Sequence, residues 1–253
     1  MLKVTDLHKE FGGIKAVHDC DFHVKKGEIV GLIGPNGAGK TTVFNLVTGF
    51  IRPDRGTVIF DGADVTSLKP HIIARMGMSR TFQMIRLFPN MTVLENMLLA
   101  MKNQDEGFKA AIFRNPLMRK KVKQGLVRAI EMLEFVDLHA KKNELAKNLS
   151  YGQQKLLEIA RALVNDPELL LLDEPAAGVN LTMLKKIKGL INKLKDQGKT
   201  ILLVEHNMEF VMEMCDTVVV LDHGEEIAIG TPKQIQKNKK VLEAYLGGTE
   251  GCE

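Results

Sequence analysis

Gly34-Pro35-Asn36-Gly37-Ala38-Gly39-Lys40-Thr41 follows the apolar run of residues 28–33 and opens a helical stretch over residues 40–48. A strand-sized apolar run, a glycine-rich loop and then a helix is the context that the pattern GxxxxGK[ST] requires, and it decides the fold. Glycines let backbone N–H groups curl around phosphate oxygens. The helix N-terminus adds partial positive charge. On this reading Asn36, Gly37, Ala38, Gly39, Lys40, Thr41 and Thr42 hold the phosphates of a nucleotide. Lys40 reaches the β- and γ-phosphates, and the Thr41 hydroxyl ligates Mg²⁺.

Downstream, Leu169-Leu170-Leu171-Leu172-Asp173-Glu174-Pro175 is an apolar strand that ends in two adjacent carboxylates. A buried parallel strand puts its C-terminal end beside a phosphate loop. Asp173 is therefore expected to hold Mg²⁺ through water, and Glu174 to act as general base on the attacking water. Around these two motifs the chain alternates. Residues 2–5 and 16–24 read as strands about a Gly12-Gly13 turn, and residues 56–60 as another strand. Apolar residues recur at helical spacing from about 90 to 165. From Glu168 onward strand and helix patterns alternate, at residues 169–172, 181–195, 200–204, 208–214 and 217–221, which implies parallel strands with crossover helices. The tail, residues 232–246, reads as a polar helix.

Composition narrows the class. A chain of 253 residues, 45% hydrophobic, can bury a real core in one or two domains. The net charge of +4 is mild. Basic clusters such as Arg119-Lys120-Lys121 and Lys237-Asn238-Lys239-Lys240 lie on helix-like segments without interleaved aromatics, so solvated faces explain them and no nucleic-acid partner is expected. Cys20, Cys215 and Cys252 are too scattered for a disulfide framework or a zinc site. The N-terminus has no apolar signal region. No apolar run approaches the ~20 residues needed to span a bilayer, so another chain must do any spanning.

The segment Leu149-Ser150-Tyr151-Gly152-Gln153-Gln154-Lys155 precedes the acidic strand and begins a helix. It resembles the LSGGQ signature of the ATP-binding cassette family. Four further positions fall where that family has its motifs. Gln83, in Arg80-Thr81-Phe82-Gln83, lies at the Q-loop. Ala177-Gly178-Val179-Asn180 lies at the D-loop, and His206, in Val204-Glu205-His206-Asn207, lies at the switch histidine. Phe11 lies at the adenine-stacking aromatic. The resemblance covers residues 2–230. It implies a P-loop NTPase α/β fold, with a RecA-like parallel-sheet core, an N-terminal antiparallel β subdomain and an inserted helical subdomain. It implies one nucleotide-binding domain over 1–253, with a core of about 1–84 and 166–230, a helical subdomain of about 85–165 and a helical tail of about 231–253.

The same resemblance implies ATP and Mg²⁺ as cofactors. Phe11 and Val17 lie beside the nucleotide. Gln83 joins Thr41 and Asp173 at the Mg²⁺, and Gln83 and His206 act with Glu174 on the water. Ser150, Gly152 and Gln153 bind the γ-phosphate held by a second subunit, so two chains head to tail make two composite sites. The implied partners are a second ATPase subunit, transmembrane permease subunits and, indirectly, a solute-binding protein, with the chain peripheral at the cytoplasmic face of the cell membrane. The apolar stretch around Met84, Ile85, Leu87 and Phe88 is expected to take the membrane contact.

Two positions depart from the family pattern. Tyr151 replaces a signature glycine, and Asn180 replaces the usual D-loop aspartate. Both occur in the ATP-binding subunits of branched-chain amino acid importers. The phrases Arg86-Leu87-Phe88 and Ala176-Ala177-Gly178, an insertion at about 103–125 and the tail from Gly230 to Gly247 resemble the larger of that system's two ATPases. Urea-importer and lipopolysaccharide-export ATPases are alternatives. A soluble DNA-repair or translation ATPase would carry coiled-coil insertions, tandem cassettes or basic arms. A P-loop kinase would have no use for the signature segment.

Overall fold

The computed structural model describes residues 1–101 and 116–246. The expected insertion at about 103–125 lies largely outside them, as do Gly247 and Cys252. The chain divides into two compact units: Met1–Arg80, Glu168–Ala177 and Lys188–Glu253 form one, and Thr81–Pro167 and Gly178–Ile187 form the other.

The first unit holds two sheets. A four-stranded antiparallel sheet has the order β2-β1-β4-β5, with β1 Leu2–Phe11, β2 Ile14–Val24, β4 Arg55–Phe60 and β5 Ala63–Asp64. A six-stranded sheet has the order β10-β9-β3-β8-β7-β6, with β3 Ile29–Ile33, β6 Met78–Arg80, β7 Leu169–Asp173, β8 Thr200–Val204, β9 Thr217–Asp222 and β10 Glu225–Gly230. In the six-stranded sheet only β10 runs antiparallel. Every residue of β3, β7 and β8 is buried. Strands covered on both faces read as continuous apolar runs, which is why these three stood out in the sequence. Helix α1 (Lys40–Val47) packs Val43, Phe44, Leu46 and Val47 into one core with Val30 and Leu169 of the parallel sheet and Leu2, Phe22 and Phe60 of the antiparallel sheet. The same unit carries α2 (Pro70–Arg75) and, after β8, α7 (Met208–Met214), α8 (Pro232–Ile235) and α9 (Lys239–Leu246).

Several elements differ from the sequence expectation. The tail is two helices, because the chain turns at Asn238, whose side chain accepts the Lys240 N–H at 3.0 Å and restarts the helix. Strand β10 pairs back on β9 through His223-Gly224. Both residues have positive φ, 46° and 85°, as a two-residue hairpin turn of matching twist needs. Strands β5 and β6 and helix α2 are too short for a periodicity reading.

The second unit is helical: α3 (Val93–Leu99), α4 (Pro116–Phe135) and α5 (Tyr151–Leu163), with the start of α6 (Leu181–Asp196). Helix α5 buries Leu156, Leu157, Ile159, Ala160 and Leu163 on one face. Helix α3 begins with a Thr92–Glu95 capping box. The buried Asn96 amide accepts the Phe88 N–H at 2.9 Å and donates to the Phe88 and Thr92 carbonyls, each at 3.0 Å. Those bonds fix the loop that precedes the helix. Among the described residues no helix is long and apolar enough to cross a membrane.

Candidate active site

The glycine loop connects β3 to α1 and is shaped by close backbone approach. Gly39 has φ 94°, and a Cβ there would lie 2.3 Å from the Ala16 carbonyl oxygen, so only glycine fits. The first helical N–H groups of α1 have no side-chain cap, since Gly39 is the capping residue. Those donors and the exposed backbone at Asn36 and Gly37 form a cradle suited to phosphate oxygens. Lys40 is 5% exposed, and its Nζ donates to the Gly34 carbonyl at 2.8 Å and the Pro35 carbonyl at 2.7 Å. Burial lowers its proton affinity, and the charge of Glu174 raises it again. Thr41 is exposed and Thr42 half-buried at the start of α1.

Strand β7 delivers Asp173 and Glu174 to the same unit. Asp173 is 2% exposed. Glu174 adopts φ 48°, a left-handed conformation for a residue with a side chain. Such strain costs on the order of 1–3 kcal/mol and collects at functional sites. The Glu174 N–H donates to the Val204 carbonyl at 3.0 Å, which ties the turn to the end of β8. The switch histidine follows that strand, and His206 Nε2 lies 3.1 Å from Glu174 Oε1. A carboxylate only accepts, so this bond places the proton on Nε2. Residues 32 positions apart thus meet because their parent strands are parallel neighbours, with Asp173 opposite Val204.

Two further groups complete this site and carry no motif of their own. Arg80, the last residue of β6, donates to Asp173 Oδ2 at 2.8 Å, and also to Asn45 Oδ1 at 2.7 Å and Thr48 Oγ1 at 3.3 Å. Glu205, 2% exposed, accepts the Ala176 N–H at 2.7 Å and the His206 N–H at 3.2 Å. Its carboxyl is held above the usual range chiefly by burial. Arg80 stood in the quoted Q-loop phrase and Glu205 in the switch phrase, but nothing in either phrase announces the partner.

Phe11 is 46% exposed, with the Lys9 ammonium 5.4 Å from its ring centre, so the ring is available for stacking. Val17 lies deeper in β2. It is fully buried in the core and offers no surface to a ligand.

The other unit carries Gln83 and the signature segment. Gln83 is exposed. The backbone around it is held from α5: the Phe82 N–H donates to Glu158 at 3.3 Å, and Arg161 donates to the Arg86 carbonyl. Ser150 caps α5 in a reciprocal box with Gln153, the two bonds being 3.4 and 3.0 Å. Gly152 and Gln153, half-buried, lie in the first turn. The Tyr151 ring lies across Gly178, where a Cβ would meet the ring at 3.0 Å and where φ is 71°. A tyrosine is thereby accommodated beside the D-loop glycine. Asn180 accepts the Met183 N–H at 2.9 Å and caps α6, a service that asparagine performs as well as aspartate.

Two of the groups expected at a metal, the Thr41 hydroxyl and the Asp173 carboxylate, belong to the first unit and are hard oxygen donors of the kind that suits Mg²⁺. A separate cavity of ≈740 Å³, lined by Met208, Met212, Ile235, Val241 and Tyr245 among others, contains none of the motif residues. Cys20 and Cys215 are free and buried, with both thiols pushed up to about 12 by burial, so they are inert.

A glycine loop closed on a buried lysine, with a strand-end Asp-Glu pair in the same unit, defines a P-loop ATPase. A family model described as ABC transporter matches residues 17–177, and one described as branched-chain amino acid ATP-binding cassette transporter matches residues 225–251. The chain belongs to the ABC transporter family and is one of its cassette ATPases. It is 44% identical to the high-affinity branched-chain amino acid transport ATP-binding protein BraF of Pseudomonas aeruginosa, over 98% of both chains. It is 45% identical to the corresponding protein LivG of Escherichia coli, again over 98% of both. The ADP conformation of an ABC transporter cassette superimposes with a TM-score of 0.84 at 34% identity, covering 98% of each chain. A dimeric bacterial ABC transporter cassette superimposes with a TM-score of 0.78 at 27% identity, covering 92% of this chain and 99% of that one.

Proposed function

We propose that this chain binds MgATP and hydrolyses it in a head-to-tail dimer, driving a membrane importer of branched-chain amino acids through permease subunits at the cytoplasmic face. The observation that carries the reading is the Glu174–His206 pair, in one unit with the glycine loop. Lys40 and the loop amides bind the phosphates, and Phe11 stacks on the base. Thr41, Asp173 and Gln83 would hold Mg²⁺, which, when bound, offsets phosphate charge. Glu174 takes a proton from water as its oxygen attacks the γ-phosphorus, and the bond to the ADP oxygen breaks. His206 holds the Glu174 carboxylate in place by its Nε2–H. Ser150, Gly152 and Gln153 of one subunit complete the site of the other. The solute assignment rests on the relatives' names and on the tail match at residues 225–251.

The composite site is tested by mixing a Lys40→Ala chain with a Ser150→Ala chain. In a homodimer each variant alone is inactive at both sites, whereas the mixed dimer keeps one intact site, so partial ATPase recovery is expected. No recovery where mixed dimers demonstrably form would refute action in trans. A mild-detergent pull-down with mass identification tests the transporter assignment. Permease subunits of an amino acid importer are the expected catch.

A further inference from the structure

Glu205 precedes the switch histidine, and the proposed mechanism gives it no part. Yet it is buried at 2% exposure, where an unsupported charge is costly. Its support is entirely backbone. Oε1 accepts the N–H of Ala176, two residues beyond Glu174, at 2.7 Å. Oε2 accepts the N–H of His206 at 3.2 Å, with the Asn207 N–H at 3.5 Å. One carboxylate therefore spans two loops. The first leaves β7 carrying Glu174, and the second leaves β8 carrying His206. The strands themselves are already in register, with Asp173 opposite Val204. Beyond that register the ladder stops, and the next ties across the gap are the Glu174 N–H to Val204 carbonyl bond, the Glu205 carboxylate and the Glu174–His206 pair itself.

We propose that Glu205 is a positioning residue for hydrolysis: its buried carboxylate, by gathering the backbone N–H groups of Ala176 and His206, sets the separation of the Glu174 carboxylate and the His206 imidazole and so the place of the attacking water. The inference rests on the reading of Glu174 as base. Charge-assisted bonds to backbone N–H are stronger and more directional than neutral ones, so a neutral replacement weakens the tie between the two loops. A glutamine at 205 keeps the shape, but its NH₂ must face one of the N–H groups that the carboxylate now accepts. Aspartate keeps the charge but is one methylene short, and it cannot reach both loops together. A misplacement on the order of 1 Å costs about 10²-fold in a positioned reaction.

The test uses the whole chain with Glu205→Gln, Glu205→Asp, Glu174→Gln and the double variant Glu174→Gln/Glu205→Gln. ATP turnover, affinity for a fluorescent ADP analogue and thermal melting are measured on each. Glu205→Gln and Glu205→Asp should each lower kcat at least tenfold while ADP affinity stays within twofold. Once the base is gone its position is irrelevant, so in the Glu174→Gln background Glu205→Gln should lower the residual rate less than threefold. If Glu205→Gln melts too low to assay, Glu205→Asp carries the comparison, alone and in the same background. Full turnover in both Glu205 variants overturns the proposal, and so does an equal loss with and without the base, which marks a merely structural acid. A Glu174→Gln chain with near-normal turnover instead overturns the base assignment on which the proposal depends, and the two failures are read from different variants.

Discussion

Arg80 and Asp173 form an ion pair at 2.8 Å in which the side chains are 6% and 2% exposed. Their strands are parallel neighbours, with Arg80 opposite Leu171, so the guanidinium comes alongside the end of β7. The same guanidinium reaches Asn45 of α1 and Thr48 just beyond it. It therefore joins the candidate metal carboxylate to the helix that begins at the phosphate loop. Removing one partner of a buried pair strands the other and costs about 3–5 kcal/mol. Arg80→Met should lower the melting temperature on the order of 10 °C, using ~2–4 °C per kcal/mol for a chain of this size. Arg80→Lys should recover less than half of that, because one ammonium lacks the fork that reaches three acceptors. A melting temperature within 2 °C of the unaltered chain for Arg80→Met, read by calorimetry, would show that the pair contributes nothing.

The exposed ring of Phe11 separates stacking from packing. Aromatic stacking on a base contributes about 1–3 kcal/mol. Phe11→Ala should weaken ATP binding at least tenfold. With 46% of the residue already in solvent, stability should change by no more than about 0.5 kcal/mol. Titration calorimetry with ATP decides it. Unchanged affinity would remove Phe11 from the site.

Met84 is 78% exposed and Phe88 49% exposed in the loop between β6 and α3. Asn96 holds the Phe88 backbone, so the ring is presented from a fixed loop. Exposed large apolar side chains on a rigid segment suit a groove for a partner helix. Met84→Cys and Phe88→Cys chains should each crosslink to a transmembrane subunit in the assembled transporter, and Phe88→Ser should abolish co-purification without changing ATP affinity. Retained co-purification and absent crosslinks together would place the contact elsewhere.

The parts of this molecule that were legible in the sequence are those whose physics is local. The phosphate loop declares itself because the turn, the lysine and the helix start lie within one short stretch. Strands β3, β7 and β8 declare themselves because burial on both faces makes them uniformly apolar. What stayed hidden was pairing at a distance. Arg80 and Asp173 are 93 residues apart, and Ala176 and Glu205 are 29 apart, so no spacing rule connects them. Strand β6 has three residues, too few for any period, yet it positions Arg80. Val17 is a case of its own. The resemblance placed it beside the nucleotide, but on β2 its side chain takes the inward face while its neighbours Ala16 and His18 are only half-buried. The departures at Tyr151 and Asn180 gain a physical account only in three dimensions, as a ring against Gly178 and a cap on α6.

Glu174 makes the largest demand on the mechanism. Its carboxylate accepts from His206 at 3.1 Å, and its backbone is held in a left-handed turn by the Val204 carbonyl. General-base assistance is worth about 10²–10⁴ in rate, roughly 3–5 kcal/mol of barrier. Glutamine has the same shape and can keep the contact with His206, but it takes no proton at neutral pH. It also removes a negative charge that repels the triphosphate. Glu174→Gln should therefore bind MgATP as well as the unaltered chain or better, lose at least a hundredfold in turnover and accumulate as an ATP-bound dimer on size-exclusion chromatography. Lys40→Ala should instead lose binding, because on the proposed reading the ammonium meets ground-state phosphates, and its Nζ also donates to the Gly34 and Pro35 carbonyls that shape the loop. Turnover above about a tenth of normal in Glu174→Gln, far outside the range expected for a lost base, would move the catalytic role to His206 and Gln83.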